Sequence, residues 1–301
     1  MKFGLALPQY SEATSAEGCA AMANAIERLG YDSVWVGDHN VTPPAFADAY
    51  DIGFLDAFVL MGYLAAATDT LLIGTTVVVV PYRHPITTAN MLATADNLSG
   101  GRIVFSAASG WDEEEFTALG VSFEQRGAIT DEYLDAIRTL WTDKLASFKG
   151  QFVEFSDVVL APKPVRLEGV PTWIGGNSPA AQRRAVRFGE AWNPSDADRA
   201  DLEAGVARMA NLSAGVGRAT PPALAPRLDV RLHLNDRLAL KTARPWALTG
   251  TPEEVVDWIT TNYGGLGVEH LLIDLADPTW EQMVESAQAL AEEVLPALGN
   301  L

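Results

Sequence analysis

Leu71-Leu72-Ile73-Gly74-Thr75-Thr76-Val77-Val78-Val79-Val80 is a nearly unbroken run of apolar and β-branched residues, closed by Pro81, Tyr82 and Arg83. It is too short for a membrane span, which needs ~20 apolar residues, and its composition fits a strand. A strand without polar alternation is buried on both faces, as in a parallel sheet covered by helices. Helical spacing of apolar residues over 56–67 before it and 86–98 after it agrees with that reading.

The same alternation extends in both directions. Strands are expected at 2–7, 33–36, 103–108, 172–174, 191–193, 228–234 and 270–275, and helices at 15–29, 131–141, 179–188, 201–212, 252–262 and 279–298. Residues 148–155 read as a small hairpin, and 211–226 as an insertion or surface loop. With 71–80 this gives about eight strand–helix pairs, which favours closure into a (β/α)8 TIM barrel over an open doubly wound sheet. The chain reads as one barrel domain over 1–301, with insertions near 40–55, 112–165 and 211–250.

Composition narrows the function. The 301 residues carry 39 acids against 21 bases, a net charge of −18, which opposes a nucleic-acid surface. No signal peptide or membrane segment is read, so the expected compartment is the cytoplasm. Cys19 is the single cysteine and reads as buried core. His39, His84, His233 and His270 show no metal spacing, and no metal site is expected. P-loop, Gly-x-Ser-x-Gly and HExxH patterns are absent. Glycosidase chemistry needs only two carboxylates at strand ends, for which Asp38, Glu113–Glu115 and Asp274 are candidates.

In a barrel, chemistry collects where strands end. Asp38-His39 follows the second strand, a position for a proton-transferring His oriented by a carboxylate. Ser109-Gly110-Trp111 follows the fourth, where Trp111 can stack on a ring. Asp112 with Glu115 reads as a capping box, as does Thr251 with Glu254. Gly175-Gly176-Asn177-Ser178-Pro179 opens a helix, with Ser178 as N-cap and Pro179 at its first position, an arrangement that favours a phosphate. Arg183, Arg184 and Arg187 follow; Arg183 and Arg187 share a face and are the expected phosphate helpers. Phe46, Tyr50, Phe54 and Trp246 suggest an apolar lining for a small-molecule substrate.

Several of these stretches, with Gly30–His39, Gly74–Pro85, Asp96–Arg102, Ser109–Gly120, Leu140-Trp141-Thr142, Pro162-Lys163-Pro164 and Pro171–Trp192, resemble the bacterial luciferase-like oxidoreductases, most closely the subgroup using the deazaflavin coenzyme F420. The resemblance implies a luciferase-like (β/α)8 barrel, usually a homodimer, with a tricyclic cofactor at the strand ends. It implies a non-proline cis peptide at Thr76-Val77 backing the ring, Asp38 and His39 near its reactive edge, Ser109, Gly110 and Trp111 beside it, and Gly175, Gly176, Asn177 and Ser178 at the phosphate. Ala108 replaces a glycine common in relatives, and Trp111 stands where some carry a glutamate. The expected activity is hydride transfer between F420 and a small organic substrate, with His39 as general acid/base and Asp38 as its support. An FMN-dependent monooxygenase, a non-catalytic ligand-binding barrel and a glycosidase are the alternatives.

Overall fold

A computed structural model of the chain describes residues 1–7, 9, 15–41, 54–234, 247–275 and 280–299. Its elements are, in order, β1 (Lys2–Ala6), α1 (Ala16–Arg28), β2 (Ser33–Val36), α2 (Ala57–Ala67), β3 (Leu72–Thr75), β4 (Val78–Val79), α3 (Pro85–Leu98), β5 (Ile103–Ala108), α4 (Glu113–Ala118) and α5 (Arg126–Thr142). There follow β6 (Ala146–Lys149), β7 (Glu154–Val158), β8 (Thr172–Gly175), α6 (Pro179–Phe188), β9 (Ala191–Asn193), α7 (Arg199–Gly215), β10 (Ala223–Leu224), β11 (Arg227–Leu232), β12 (Leu248–Gly250), α8 (Pro252–Tyr263), β13 (His270–Leu275), α9 (Trp280–Ala289) and α10 (Leu295–Leu298).

The strands pair in parallel along the path β10-β9-β8-β5-β3-β2-β1-β13-β11-β12, with β4 also on β5. Backbone bridges from Ser195 to Arg227 and from Leu224 to Val268 join the two arms. The sheet therefore curls into the parallel barrel expected from the sequence. β6 and β7 form a separate antiparallel hairpin.

Strand alternation sorts the side chains into two cores. Val34, Val36, Ile73, Ile103, Phe105, Ile174, Leu271 and Ile273 face the helices in one continuous cluster. Their neighbours Trp35, Val104, Ala191, Ala225 and Leu272 form a second cluster inside the barrel. Trp35 is the plug of that interior. A Cβ on Gly4 or Gly74 would lie 2.3 and 2.2 Å from its ring atoms, so both flanking strands need glycine there. The indole N–H donates to Ser33 Oγ at 2.7 Å, and Ser33 Oγ also pairs with His270 Nε2 at 2.8 Å.

Three expectations are corrected. The 71–80 run is not one strand: β3 ends at Thr75, Thr76–Val77 is a cis peptide, β4 resumes against β5, and Val80–Tyr82 is a 3₁₀ turn. The C-terminal segment expected as one helix over 279–298 is interrupted within its described residues, 280–298. A π turn at Leu290–Val294 separates α9 from α10, next to Pro296, which has no N–H to donate. Residues 211–226 are not all loop, because α7 continues to Gly215 and β10 pairs with β9. The other boundaries agree closely, although α5 begins at Arg126 rather than near 131. Cys19 is buried as expected. Among the described residues no helix is long and apolar enough to cross a membrane.

His270 is the titratable group of the lower interior. Burial first, then the positive charges of Lys2 and the N-terminus, push its imidazole down from 6.5 to about 3. Between those values the unfolded chain binds a proton that the folded chain cannot, so stability falls as pH drops from about 6.5 towards 3. Urea midpoints measured over this interval should fall less steeply in a His270→Gln chain than in the parent; parallel slopes would contradict the assignment.

Candidate active site

The C-terminal ends of the strands enclose a cavity of about 530 Å³. Each wall comes from a different strand end. Ala6 and Leu7 follow β1, and Gly37, Asp38 and His39 follow β2; Thr76, Val77 and Val79 come from the β3–β4 break. Ala108, Ser109, Gly110 and Trp111 end β5, Gly175–Ser178 end β8, and Asn193 and Ser195 end β9. Arg227 and Asp274 close the circle. Expected residues scattered over 140 positions of sequence thus share one cavity: Asp38, His39, Thr76, Val77, Ser109, Gly110, Trp111, Gly175, Gly176, Asn177 and Ser178 all line it.

Arg183 and Arg187 do not. Arg183 is exposed, while Arg187 pairs with Asp135 at 2.6 Å and lies over the Phe188 ring. The helix buries Ala181 and Ala185, and Arg184, three residues from Ala181, is the arginine that reaches the cavity. Arg184 is braced by Asp131 at 2.7 Å. A second cavity cation, Arg126, begins α5. Its guanidinium lies 3.8 Å over the Phe123 ring and donates to the Gly110 and Phe123 carbonyls. Among the described residues it has no carboxylate partner.

The glycines of this wall answer to close packing. A Cβ on Gly175 would lie 2.4 Å from Val77 Cγ1, and one on Gly110 would lie 2.6 Å from Val79 Cγ1, at a φ of +79°. The β3–β4 break is therefore seated directly on its neighbours. Below it, Asn193 Oδ1 accepts from Thr76 Oγ1 and Ser106 Oγ at 3.2 and 3.3 Å, and Asn193 Nδ2 donates to Ala225 O. At the β8 end, Ser178 caps α6 as expected, accepting from Ala181 N. Asn177 clamps the Ser195 backbone through both amide atoms.

The carboxylate that meets His39 is not Asp38. Asp38 Oδ2 accepts from Val79 N at 3.0 Å and from Arg83 Nη1 at 2.8 Å. Arg83 also reaches Asp56 at 2.8 Å. Burial pushes the Asp38 carboxyl up, against the opposing pull of Arg83. Asp38 Oδ1 is buried without a hydrogen-bond partner among the described residues. His39 Nδ1 instead lies 2.8 Å from Glu115 Oε2. Glu115 is fully buried and also accepts from Tyr82 Oη at 2.8 Å and from the backbone N–H groups of Asn40 and Val41. Burial raises its carboxyl, but the donors from His39, Asn40 and Tyr82 outweigh burial and hold it below the ordinary value.

The expected capping box at 112–115 is therefore half present. Asp112 does cap α4, accepting from Glu114 N and Glu115 N, but the Glu115 side chain turns inward to His39. Thr251 and Glu254 form the complete box. His39, Asp112 and Glu115 bring metal-ligand atom types within 4.8 Å of one another, a grouping that sequence spacing did not show. With four donors already on Glu115, the cluster is a hydrogen-bonded one. Phe54 and Trp111 complete the surroundings, with ring centroids 4.9 and 5.8 Å from that of His39. Phe46, Tyr50 and Trp246 lie outside the described residues.

Fold and cavity define an α/β-barrel protein with a glycine- and arginine-lined pocket and, at its edge, a half-buried histidine paired with a buried glutamate. Residues 1–247 match the Luciferase-like monooxygenase family, and the chain belongs to it. It is 30% identical over 247 residues to the uncharacterized protein Rv0953c of Mycobacterium tuberculosis (strain ATCC 25618 / H37Rv), covering 78% of this chain and 84% of that protein. It is 35% identical over 130 residues to the FMNH(2)-dependent dimethylsulfone monooxygenase of Pseudomonas putida, covering 42% of this chain and 36% of that one. An F420-dependent secondary alcohol dehydrogenase, solved with an F420-acetone adduct, superposes with a TM-score of 0.82 at 20% identity, covering 99% of this chain and 98% of that chain.

The Asp38–Arg83 pair gives a direct test of this geometry. Removing one partner of a buried ion pair strands the other and costs about 3–5 kcal/mol. Arg83→Met should lower folding stability by an amount of that order in urea titrations, and Asp38→Asn in the same chain should restore part of it. A neutral Arg83→Met would mean that Asp38 is not held as described.

Proposed function

We propose that the chain is an oxidoreductase transferring a hydride between coenzyme F420 and a small organic substrate. The observation carrying this reading is His39, pinned by Glu115 beside the aromatic groups Phe54 and Trp111 at the edge of a strand-end cavity. The residues present suit a flat cofactor with an anionic tail. Val77 packs on Gly175, where any larger residue would fill the space. The first turn of a helix leaves N–H groups without intrahelical acceptors. Arg126, which lacks an acidic partner among the described residues, and Arg184 stand on the same cavity.

When bound, the deazaflavin supplies the hydride acceptor or donor. The chain's own residues supply the rest. Gly175–Ser178 with Arg126 and Arg184 would hold the phosphate, Thr76 and Val77 would back the ring, and Ser109, Gly110 and Trp111 would flank it. When hydride moves to or from a carbon bearing oxygen, a proton must leave or reach that oxygen. His39 Nε2, the nitrogen not engaged by Glu115, is placed to take or return it. Asp38 braces the β2 end through Val79 and Arg83. Phe54 and Trp111 favour a substrate with an apolar body.

The kinship with an FMNH(2)-dependent monooxygenase favours a second reading, FMN in the same cavity. Side-by-side titrations of F420 and FMN, followed by ring fluorescence, separate the two. Tighter binding of F420, by at least about tenfold, is expected; the reverse order supports FMN, and no binding of either overturns both.

His39→Ala should slow hydride transfer from reduced F420 to a cyclic ketone by about 10²-fold or more, within the usual range for a lost proton-transfer group, while fluorescence titration shows the cofactor still bound. Unchanged turnover would remove His39 from the chemistry.

A further inference from the structure

We propose that Glu115 is the positioning residue of this site: it fixes the His39 ring in the tautomer that carries its proton on Nδ1 and leaves Nε2 for the cavity. The inference rests on the acid/base role proposed for His39, and adds the group that sets which nitrogen performs it.

The argument is one of donors and acceptors. An ionised carboxylate only accepts hydrogen bonds. Glu115 is fully buried and receives the Tyr82 hydroxyl and two backbone N–H groups besides the His39 ring. That donor set keeps it ionised. Facing such an oxygen at 2.8 Å, Nδ1 must be the protonated nitrogen. The neutral ring then has its lone pair on Nε2, as a base needs, and the protonated ring has its transferable proton there.

Among the described residues Glu115 is the carboxylate that hydrogen-bonds the ring. Asp112 caps the helix that carries Glu115 through Oδ1, which accepts from the backbone N–H groups of Glu114 and Glu115, and its Oδ2 is buried without a hydrogen-bond partner among the described residues. Asp38, on the neighbouring turn, is engaged by Arg83 and Val79. Tyr82, held as a phenol by burial and by Glu115, donates to the same oxygen as His39. The ring's own position is fixed from the other side by Phe54 and Trp111.

Glu115→Gln tests this through a matter of orientation. The N–H groups of Asn40 and Val41 need an acceptor, so the glutamine oxygen turns to them and its NH₂ turns to His39. The ring must then accept on Nδ1 and move its proton to Nε2. With only four histidines in the chain, ¹⁵N-histidine NMR resolves the ring nitrogens, and His39→Gln identifies the signal of interest. At roughly pH 9, above the ordinary imidazole range, wild type should show a protonated Nδ1, and Glu115→Gln a ring largely protonated on Nε2.

A wild-type ring protonated on Nε2 overturns the proposal without recourse to the variant, as does a tautomer unchanged by Glu115→Gln. In the F420-loaded enzyme, Glu115→Gln should lower the rate with cyclohexanone at least about tenfold, at unchanged cofactor affinity. It should lower the rate no further in the His39→Ala background, and an additive loss there also overturns the proposal. Undiminished turnover by His39→Ala alone would instead remove the acid/base role proposed for His39, while the tautomer measurement still decides what Glu115 does.

Discussion

A small parallel barrel has room for one layer of large side chains at a time, and in this chain Trp35 takes most of that room. Gly4 and Gly74 exist at their positions because its indole approaches within 2.3 Å of where a Cβ would stand. Once the lower barrel is plugged, the upper layers receive small and polar groups: Ser106, Asn193, Gly175 and Ala108. The cavity is the space left when the interior changes from a filled core to a polar floor, and residues at or just past the strand ends supply most of its lining.

The site is then built from charges that water does not reach. Asp38 and Glu115 are both buried carboxylates, and each is given different company. Asp38 meets one arginine and one backbone N–H, keeps an oxygen without a partner among the described residues, and has its carboxyl pushed up. Glu115 is surrounded by donors on both oxygens and is held down. Two acids that sequence alone could not rank are thereby assigned distinct physical states, one braced against an arginine and one fully ionised behind an imidazole. The division also fixes residues 37–41 after β2: Gln9 holds Gly37, and Glu115 holds Asn40 and Val41.

What the sequence disclosed follows from the range over which each signal acts. Strands buried on both faces declare themselves locally, so the barrel and the strand-end list were legible. Gly175–Pro179 carried its own helix-start signal. Glu115 was not legible as the partner of His39, because the local pattern with Asp112 matched a capping box and the contact spans 76 residues. Its location beside buried Phe116 on a six-residue helix was the available hint. The arginines of α6 divide for a related reason, with Arg184 rather than Arg183 or Arg187 lining the cavity. Arg183 and Arg187 share a face with each other, but the face that packs inward is set by Ala181 and Ala185, and Arg184 is the base nearest to it. Helical spacing says which residues are neighbours; only the alanines say which side is in.

The net charge of −18 imposes a last condition. A field of that sign disfavours any anionic ligand at long range, yet the proposed cofactor carries a phosphate. Screening resolves the conflict: at physiological ionic strength distant charges fade over about 8 Å, and what remains is the set of groups in contact. Most cations of the cavity are already committed to acids, Arg184 to Asp131 and Arg227 to Asp229 and Asp274. Arg126, spread over an aromatic ring and two carbonyls, is the exception among the described residues. An acidic protein that leaves one arginine without an acidic partner among the described residues at its strand-end cavity has kept there the local attraction that its surface as a whole withholds.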